Sequence, residues 1–447
     1  MRDIALSLIV AGLLPFILAH PVLGAYTWAW LSMMNPHKLA YGFAQYVPFA
    51  YIVAVATLVA FFFTRKRYPL PASGIVVVYV AFLIWMSFTS VFAIAPQAAV
   101  LDRWVLVMKI HVMLFVTLML IRDRKHLEIL IWVVTFSVAF YGIKGGVWTV
   151  LHGGGERVWG PPGGMLEGNN ELAVGLVVLM PFLYYLHQTA GSRWTRFAML
   201  FCMAATALSV LGSQSRGALL ALIGMAFFLG LKGPQPVRTS LFLLVGLAIA
   251  INFMPDSWSA RMDTLRSYEN DTSAMSRIWT WKTMWAAAID RPIVGVGFAS
   301  DNATVFARYA PTGPEFDLFS GQVFVAHSIY FQVLGEHGFI GLGLYLLLGV
   351  STWRTAGRLA RTVANDAEFG NWMPLLMRMV QVSLIGFCIG GAFLSLAYLD
   401  LPYYMVAYVV LCDIVVRHRA KLGASTSAPL AAPSTLRAVS THKTPLA

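Results

Sequence analysis

Charge is what this sequence has least of. Only 12% of its 447 residues are Asp, Glu, Lys or Arg, while 58% are hydrophobic. A soluble domain carries about twice that share of charge. Apolar runs approach the ~20 residues that cross a bilayer as a helix, and the ~10-residue alternation of a membrane β-barrel is absent. Cysteine is nearly missing too. Cys202, Cys388 and Cys412 sit singly in apolar runs, which excludes a disulfide framework and any CxxC pair. No metal-ligand spacing, P-loop or serine-hydrolase elbow occurs, so neither metal nor cofactor is expected. The net charge of +12 reads as topology-setting loop residues, not as a nucleic-acid surface.

What is there is helix after helix. The composition predicts an all-α, polytopic membrane protein with spans near 4–33, 47–64, 73–93, 104–121, 127–150, 171–188, 195–212, 217–231, 239–254, 327–353, 375–396 and 402–416, about twelve in all. The first run, interrupted by Pro15 and Pro21, is long enough for one kinked crossing or two half-helices. No small-residue cleavage site follows it, so it reads as a retained helix. Basic clusters at 65–67, 122–125, 193–196, 232–238, 354–361 and 417–421 all fall on one side of that scheme. The positive-inside rule makes that side cytoplasmic and places both termini there. We divide the chain into an N-terminal bundle at 1–170, a core at 171–416 and a disordered cytoplasmic tail at 417–447.

The opposite face receives the longest connection, 255–326, and loops of that length are usually functional. Within it, Ser276–Ile289 places Ile278, Trp281, Met284 and Trp285 at helical spacing, which predicts an interfacial amphipathic helix.

Ionisable residues gather toward this face. His327 opens a long apolar run, and His337 follows ten residues later, within about 80° of the same helix face. Glu336 beside it is costly to bury unpaired. Arg216, in the turn Ser213-Gln214-Ser215-Arg216-Gly217, stands where topology normally leaves few basic residues, and a guanidinium there suits a phosphate. Arg266, Arg277 and Arg291 in the long loop add cationic charge. Arg157, Asn169 and Asn170 lie in or beside a Gly/Pro-rich turn, where amide and guanidinium groups suit sugar hydroxyls. Lys109 and His111 are lesser candidates for the same cavity. Each has a bland alternative: a snorkelling arginine, a hydrogen-bonded core histidine, a polar connector.

His327-Ser328 followed after nine residues by Gly338-Phe339-Ile340-Gly341 resembles the His-[Asn/Ser/Gln]-x9-Gly-x-x-Gly element of bacterial O-antigen ligases. The turn "GSQSRGALLAL" is similar to their Ser-Arg-Gly turn, and "RPIVGVG" to their Pro-hydrophobic-Leu-Gly element, with Val294 in place of Leu. The N-terminal part, including "GPPGGMLEGNNELA", resembles the exosortase-associated putative O-glycosylation ligases. The resemblance, extending over about 170–416, implies an inner-membrane, metal-independent, inverting glycosyltransferase with a periplasmic site. It implies undecaprenyl-pyrophosphate-linked glycan as donor and lipid A-core as acceptor, among membrane lipids. His327 would then be the base, with His337 as its rival, and Arg216, Arg266, Arg277 and Arg291 would hold the pyrophosphate. Related activities are O-antigen polymerisation and protein O-oligosaccharyl transfer. A lipid-linked sugar transporter would instead place its site at the midplane between repeated halves.

Overall fold

A computed structural model describes residues 1–232 and 272–426, together with 241, 245–246, 248–249, 251–256 and 258 between them. These residues are overwhelmingly helical, without strands among them, as an all-α membrane protein requires. In chain order the helices are α1 Arg2–Ala19, α2 Pro21–Met34, α3 Phe49–Phe63, α4 Gly74–Ser90, α5 Gln97–Leu120, α6 Arg124–Leu151 and α7 Asn169–Thr189. Then follow α8 Arg193–Gly212, α9 Arg216–Lys232, α10 Thr272–Asp290, α11 Ala303–Tyr309, α12 Ile329–Thr362, α13 Trp372–Gly391 and α14 Asp400–Thr426. Among the described residues eight helices are long and apolar enough to span a bilayer, and α3 and α4 are shorter apolar helices. The expected span 239–254 lies partly outside the described residues.

Helix starts follow from side-chain caps. Ser73, Asp123, Ser192, Asn302 and Ser328 each accept a backbone N–H one turn ahead, satisfying an otherwise orphaned donor. The closest helix packing is α6 on α8. A Cβ at Gly146 would come within 2.1 Å of the Ala205 carbonyl, and one at Gly142 would meet Thr206 Oγ1 at 2.5 Å. Small residues let two backbones approach where no hydrophobic force separates helix from lipid. Helices α7, α13 and α14 are buried along most of their length and form the centre.

The basic clusters at 65–67, 122–125, 354–361 and 417–421 share one end, as the sequence predicts. There Arg122 Nη2 donates to the Pro69 carbonyl at 2.7 Å, and Arg417 Nη1 to that of Ala72 at 3.2 Å. Arg358 and Arg417 both reach Asp413, and Arg419 pairs with Asp366 at 2.6 Å. Helix α14 continues to Thr426, so the chain from 417 to 426 is helical where a disordered tail is expected; 427–447 lie outside the described residues.

The first apolar run departs from expectation. Pro21 occupies the first turn of α2 and His20 is non-helical (φ −135°, ψ 86°), so the run folds back into two antiparallel helices. Asp3 Oδ1 accepts from the N–H groups of Gly42 and Ala44 at 3.0 and 3.1 Å, and Arg2 donates to the Leu39 carbonyl. Residue 1 therefore lies at the end of the molecule opposite the basic clusters. This corrects the expectation that the N-terminus lies on the face of the basic clusters.

Candidate functional site

The functional candidates gather at the end opposite the basic clusters, around three local structures. The first is the turn before α9. Ser215 caps that helix, its Oγ accepting from Ala218 N at 3.3 Å, and Arg216 is its first residue. Gln214 takes φ 57°, a left-handed conformation uncommon outside glycine. Asn169 Nδ2 donates to the Ser213 carbonyl at 2.8 Å, so Asn169 braces the turn. Arg157 Nε reaches Gln214 Oε1 at 3.3 Å. A small polar cavity opens beside this turn, lined by Asn170, Arg216, Ser273, Arg277 and Phe393 among others. The start of α7, the start of α9 and a face of α10 thus converge on one space, with two guanidinium groups and two helix N-termini. That arrangement favours an anion.

The second is the start of α12. His327 precedes the cap residue Ser328 and takes φ 48°. Its N–H donates to Ser395 Oγ at 2.8 Å, and its carbonyl accepts from Trp281 Nε1 at 3.3 Å. A strained, doubly tied backbone fixes where the imidazole stands. Burial, with a lesser contribution from the nearby Arg277 guanidinium, holds that imidazole well below the usual histidine range, at about 4. Arg277 therefore belongs both to the cavity and to the surroundings of His327.

The third is the kink of α12 at Gly338 (φ 67°, ψ −172°). The kink releases main-chain groups that segment 291–297 takes up. Phe339 N donates to the Pro292 carbonyl, Val296 N to that of Gly335 and Gly297 N to that of Glu336, each at 2.8 Å. A Cβ on Gly338 would lie 2.4 Å from the Ile293 carbonyl oxygen, and one on Gly295 2.4 Å from that of Gly335. The glycines of both motifs are thus one main-chain clamp.

His337 lies directly above this kink and is fully buried. Its Nδ1 hydrogen-bonds with Thr89 Oγ1 at 2.7 Å and its Nε2 with Tyr398 Oη at 2.9 Å. Tyr398 Oη also donates to Glu336 Oε2 at 2.5 Å, and Ser300 Oγ to Glu336 Oε1 at 3.1 Å. Both ring nitrogens of His337 are engaged inside the bundle. Thr89, Ser300 and Tyr398 are the residues that sequence reasoning missed. Each lies far along the chain from its partner, and the only local trace is the polar "YLDLPYY" at 398–404.

The remaining candidates separate. Arg291 Nη2 donates to the Phe92 carbonyl at 2.7 Å, beside the clamp. His111 is buried with Nδ1 2.6 Å from Tyr79 Oη, and Lys109 lines a different cavity, so neither belongs with Arg216. Arg266 lies outside the described residues. The expected interfacial helix is α10, but it is packed as well as amphipathic. Trp281 stacks on Phe331 with centroids 5.4 Å apart and Met284 is fully buried, while Trp285 stays exposed.

Residues 1–190 match a family of unknown function, DUF5935. Residues 198–346 match the family described as O-Antigen ligase. The two matches meet between α7 and α8, so Asn170 enters the Arg216 cavity from the N-terminal family. No curated protein is similar enough to count as a match. The second match contains the Ser-Arg-Gly turn, segment 291–297, His327 and the kink at Gly338, and it supports reading the chain as a member of the O-antigen ligase superfamily over those residues.

Proposed function

We propose that the chain transfers O-antigen glycan from undecaprenyl pyrophosphate to a sugar hydroxyl of lipid A-core, at the periplasmic face of the inner membrane. The observation that carries this reading is the meeting of Arg216, Arg277 and Asn170 on one polar cavity beside His327, at the end away from the basic clusters. By the positive-inside rule that end is periplasmic.

The donor's polyprenyl tail lies in the bilayer, and its pyrophosphate sits between Arg216 and Arg277. The acceptor oxygen attacks the anomeric carbon from the side opposite the pyrophosphate. As the new glycosidic C–O bond forms, the old one breaks, and the electron pair leaves with undecaprenyl pyrophosphate. Two guanidinium groups and the α9 N-terminus meet the developing charge. His327 takes the acceptor's proton, a step worth about 10²–10⁴-fold. Its low basicity keeps it neutral and able to accept a proton at neutral pH. The arriving pyrophosphate offsets the charge of Arg277 and makes His327 more basic when it is needed. His337, with both nitrogens engaged, orients the kink. Arg291, held on Phe92, supports the clamp.

The test mixes purified protein with undecaprenyl-pyrophosphate-linked O-antigen and lipid A-core and resolves the products on a gel. A glycan ladder on lipid A-core that disappears in His327→Ala is the expected result. Transfer to protein, or to a second lipid-linked glycan, would replace this acceptor with that of an oligosaccharyltransferase or a polymerase.

A further inference from the structure

A second cavity, about 490 Å³, lies mostly within the region matching the family of unknown function, among α2, α3, α5 and the 163–167 turn, and is closed by the start of α14. Its volume is in the range of small-molecule sites. Its chemistry is unusual for a membrane interior. Arg103 and Lys109 line it from α5, Asp400 and Ser32 from α14 and α2, and Asn35 from the end of α2. Asp400 accepts from Ser32 Oγ at 2.5 Å, and Arg103 pairs with Asp301 at 3.4 Å. Lys109 is exposed along α5 and has neither ion pair nor hydrogen bond among the described residues, although it lies three turns inside an apolar helix. An ammonium group at such depth is costly and marks a ligand path by default.

The cavity is bordered by α3 and α5, two apolar helices. Tyr51 of α3 is exposed, and Leu101 and Val105 of α5 are exposed apolar residues near it. An occupant that enters there has an apolar part that stays in the bilayer.

Two chain segments border both cavities. Segment 393–400 contributes Phe393 and Leu394 to the Arg216 cavity and Leu399 and Asp400 to the second. Between them, Ser395 holds His327 and Tyr398 joins Glu336 to His337. Segment 163–170 contributes Gly163–Glu167 to the second cavity and Asn170 to the first. The two cavities are therefore joined by two short chain segments, and His327 is tied to one of them through Ser395.

We propose that the second cavity seats the headgroup of the acceptor, a membrane amphiphile whose head carries both phosphate and sugar hydroxyls. Lys109 and Arg103 take the phosphate; Asp400 and Asn35 take hydroxyls. This assignment rests on the reading of the chain as a glycosyltransferase.

The test uses the full chain in phosphatidylcholine nanodiscs doped with lipid A-core, with lipid A-core stripped of its phosphates, or with phosphatidylglycerol. Retention of each lipid is measured by native mass spectrometry, and donor binding is measured separately. The expected result is retention of phosphorylated lipid A-core over both other lipids. Lys109→Met weakens that retention about tenfold, the scale of one charge-assisted hydrogen bond, while Lys109→Arg keeps most of it. Donor binding stays intact in Lys109→Met and is lost in Arg216→Ala. Equal retention of lipid A-core by wild type and Lys109→Met overturns the proposal. Equal retention of phosphatidylglycerol also overturns it, making the cavity a seat for any anionic lipid. Lys109-dependent retention without glycan transfer to lipid A-core would overturn the reaction assigned above and leave the cavity's ligand class standing.

Discussion

The backbone N–H of Phe339 donates to the carbonyl of Pro292 at 2.8 Å, across a gap of 47 residues. That bond belongs to the clamp that holds α12 bent at Gly338, ten residues and three turns below Ser328 and its neighbour His327. Gly338→Ala adds a Cβ where φ is 67° and a carbonyl oxygen stands 2.4 Å away. The expected cost is about 1–3 kcal/mol, read as a lowered unfolding temperature in detergent, together with loss of transfer. An unchanged melting temperature would argue against the clamp.

Arg216→Ala is expected to lower transfer by at least ~10²-fold, the scale of removing one preorganised donor from developing charge. Arg216→Lys should rescue little of it, because an ammonium cannot replace a bidentate fork. Isothermal titration with donor lipid in nanodiscs reads the binding component directly. A lysine variant with wild-type affinity would show that only the charge matters there.

The pH dependence of kcat/KM tests His327. Its folded-state value of about 4 lies below the ordinary histidine value, so the neutral form prevails above pH 5. Activity should hold through pH 6.5 and fall only as pH drops toward about 4. Arg277→Met removes the lesser of the two causes of that depression, so the acid limb should move upward but stay below the ordinary value. An acid limb already centred near 6.5 in the wild type would point to a different base.

Tyr398→Phe deletes the hydroxyl shared by Glu336 and His337. Two buried polar groups then lose a partner, at about 1–3 kcal/mol each. The variant should melt lower yet bind donor normally, since Tyr398 lies away from the Arg216 cavity. Loss of donor binding without loss of stability would contradict a supporting role.

Much of the fold was legible because bilayer thickness sets span length and lipid exposure sets composition. The hairpin of α1 and α2 was not. An apolar run of that length has the same composition whether it crosses once or returns, and only Pro21 marked the turn. In the candidate site, Arg216 and His327 stood out because charge is rare at a membrane boundary. Arg277 could not be told from Arg291 in sequence, since both are arginines of the long connection, at opposite ends of one helical stretch. Their difference is tertiary: one turns toward the Arg216 cavity and the other onto the Phe92 carbonyl. The partners of His337 were invisible for a similar reason, as Thr89 lies 248 residues away.

The clamp at Gly338 is written almost entirely in main-chain atoms: three N–H donors, three carbonyl acceptors and two glycines that leave room for them. Such a joint reads intervals, not side chains. Val294 in the position where leucine was expected changes none of those bonds, whereas one inserted or deleted residue between Pro292 and Gly297 would break the register of all three. Substitutions of Ile293 or Val294 among aliphatic residues should therefore leave little mark, and the joint is constrained in spacing before it is constrained in side chain.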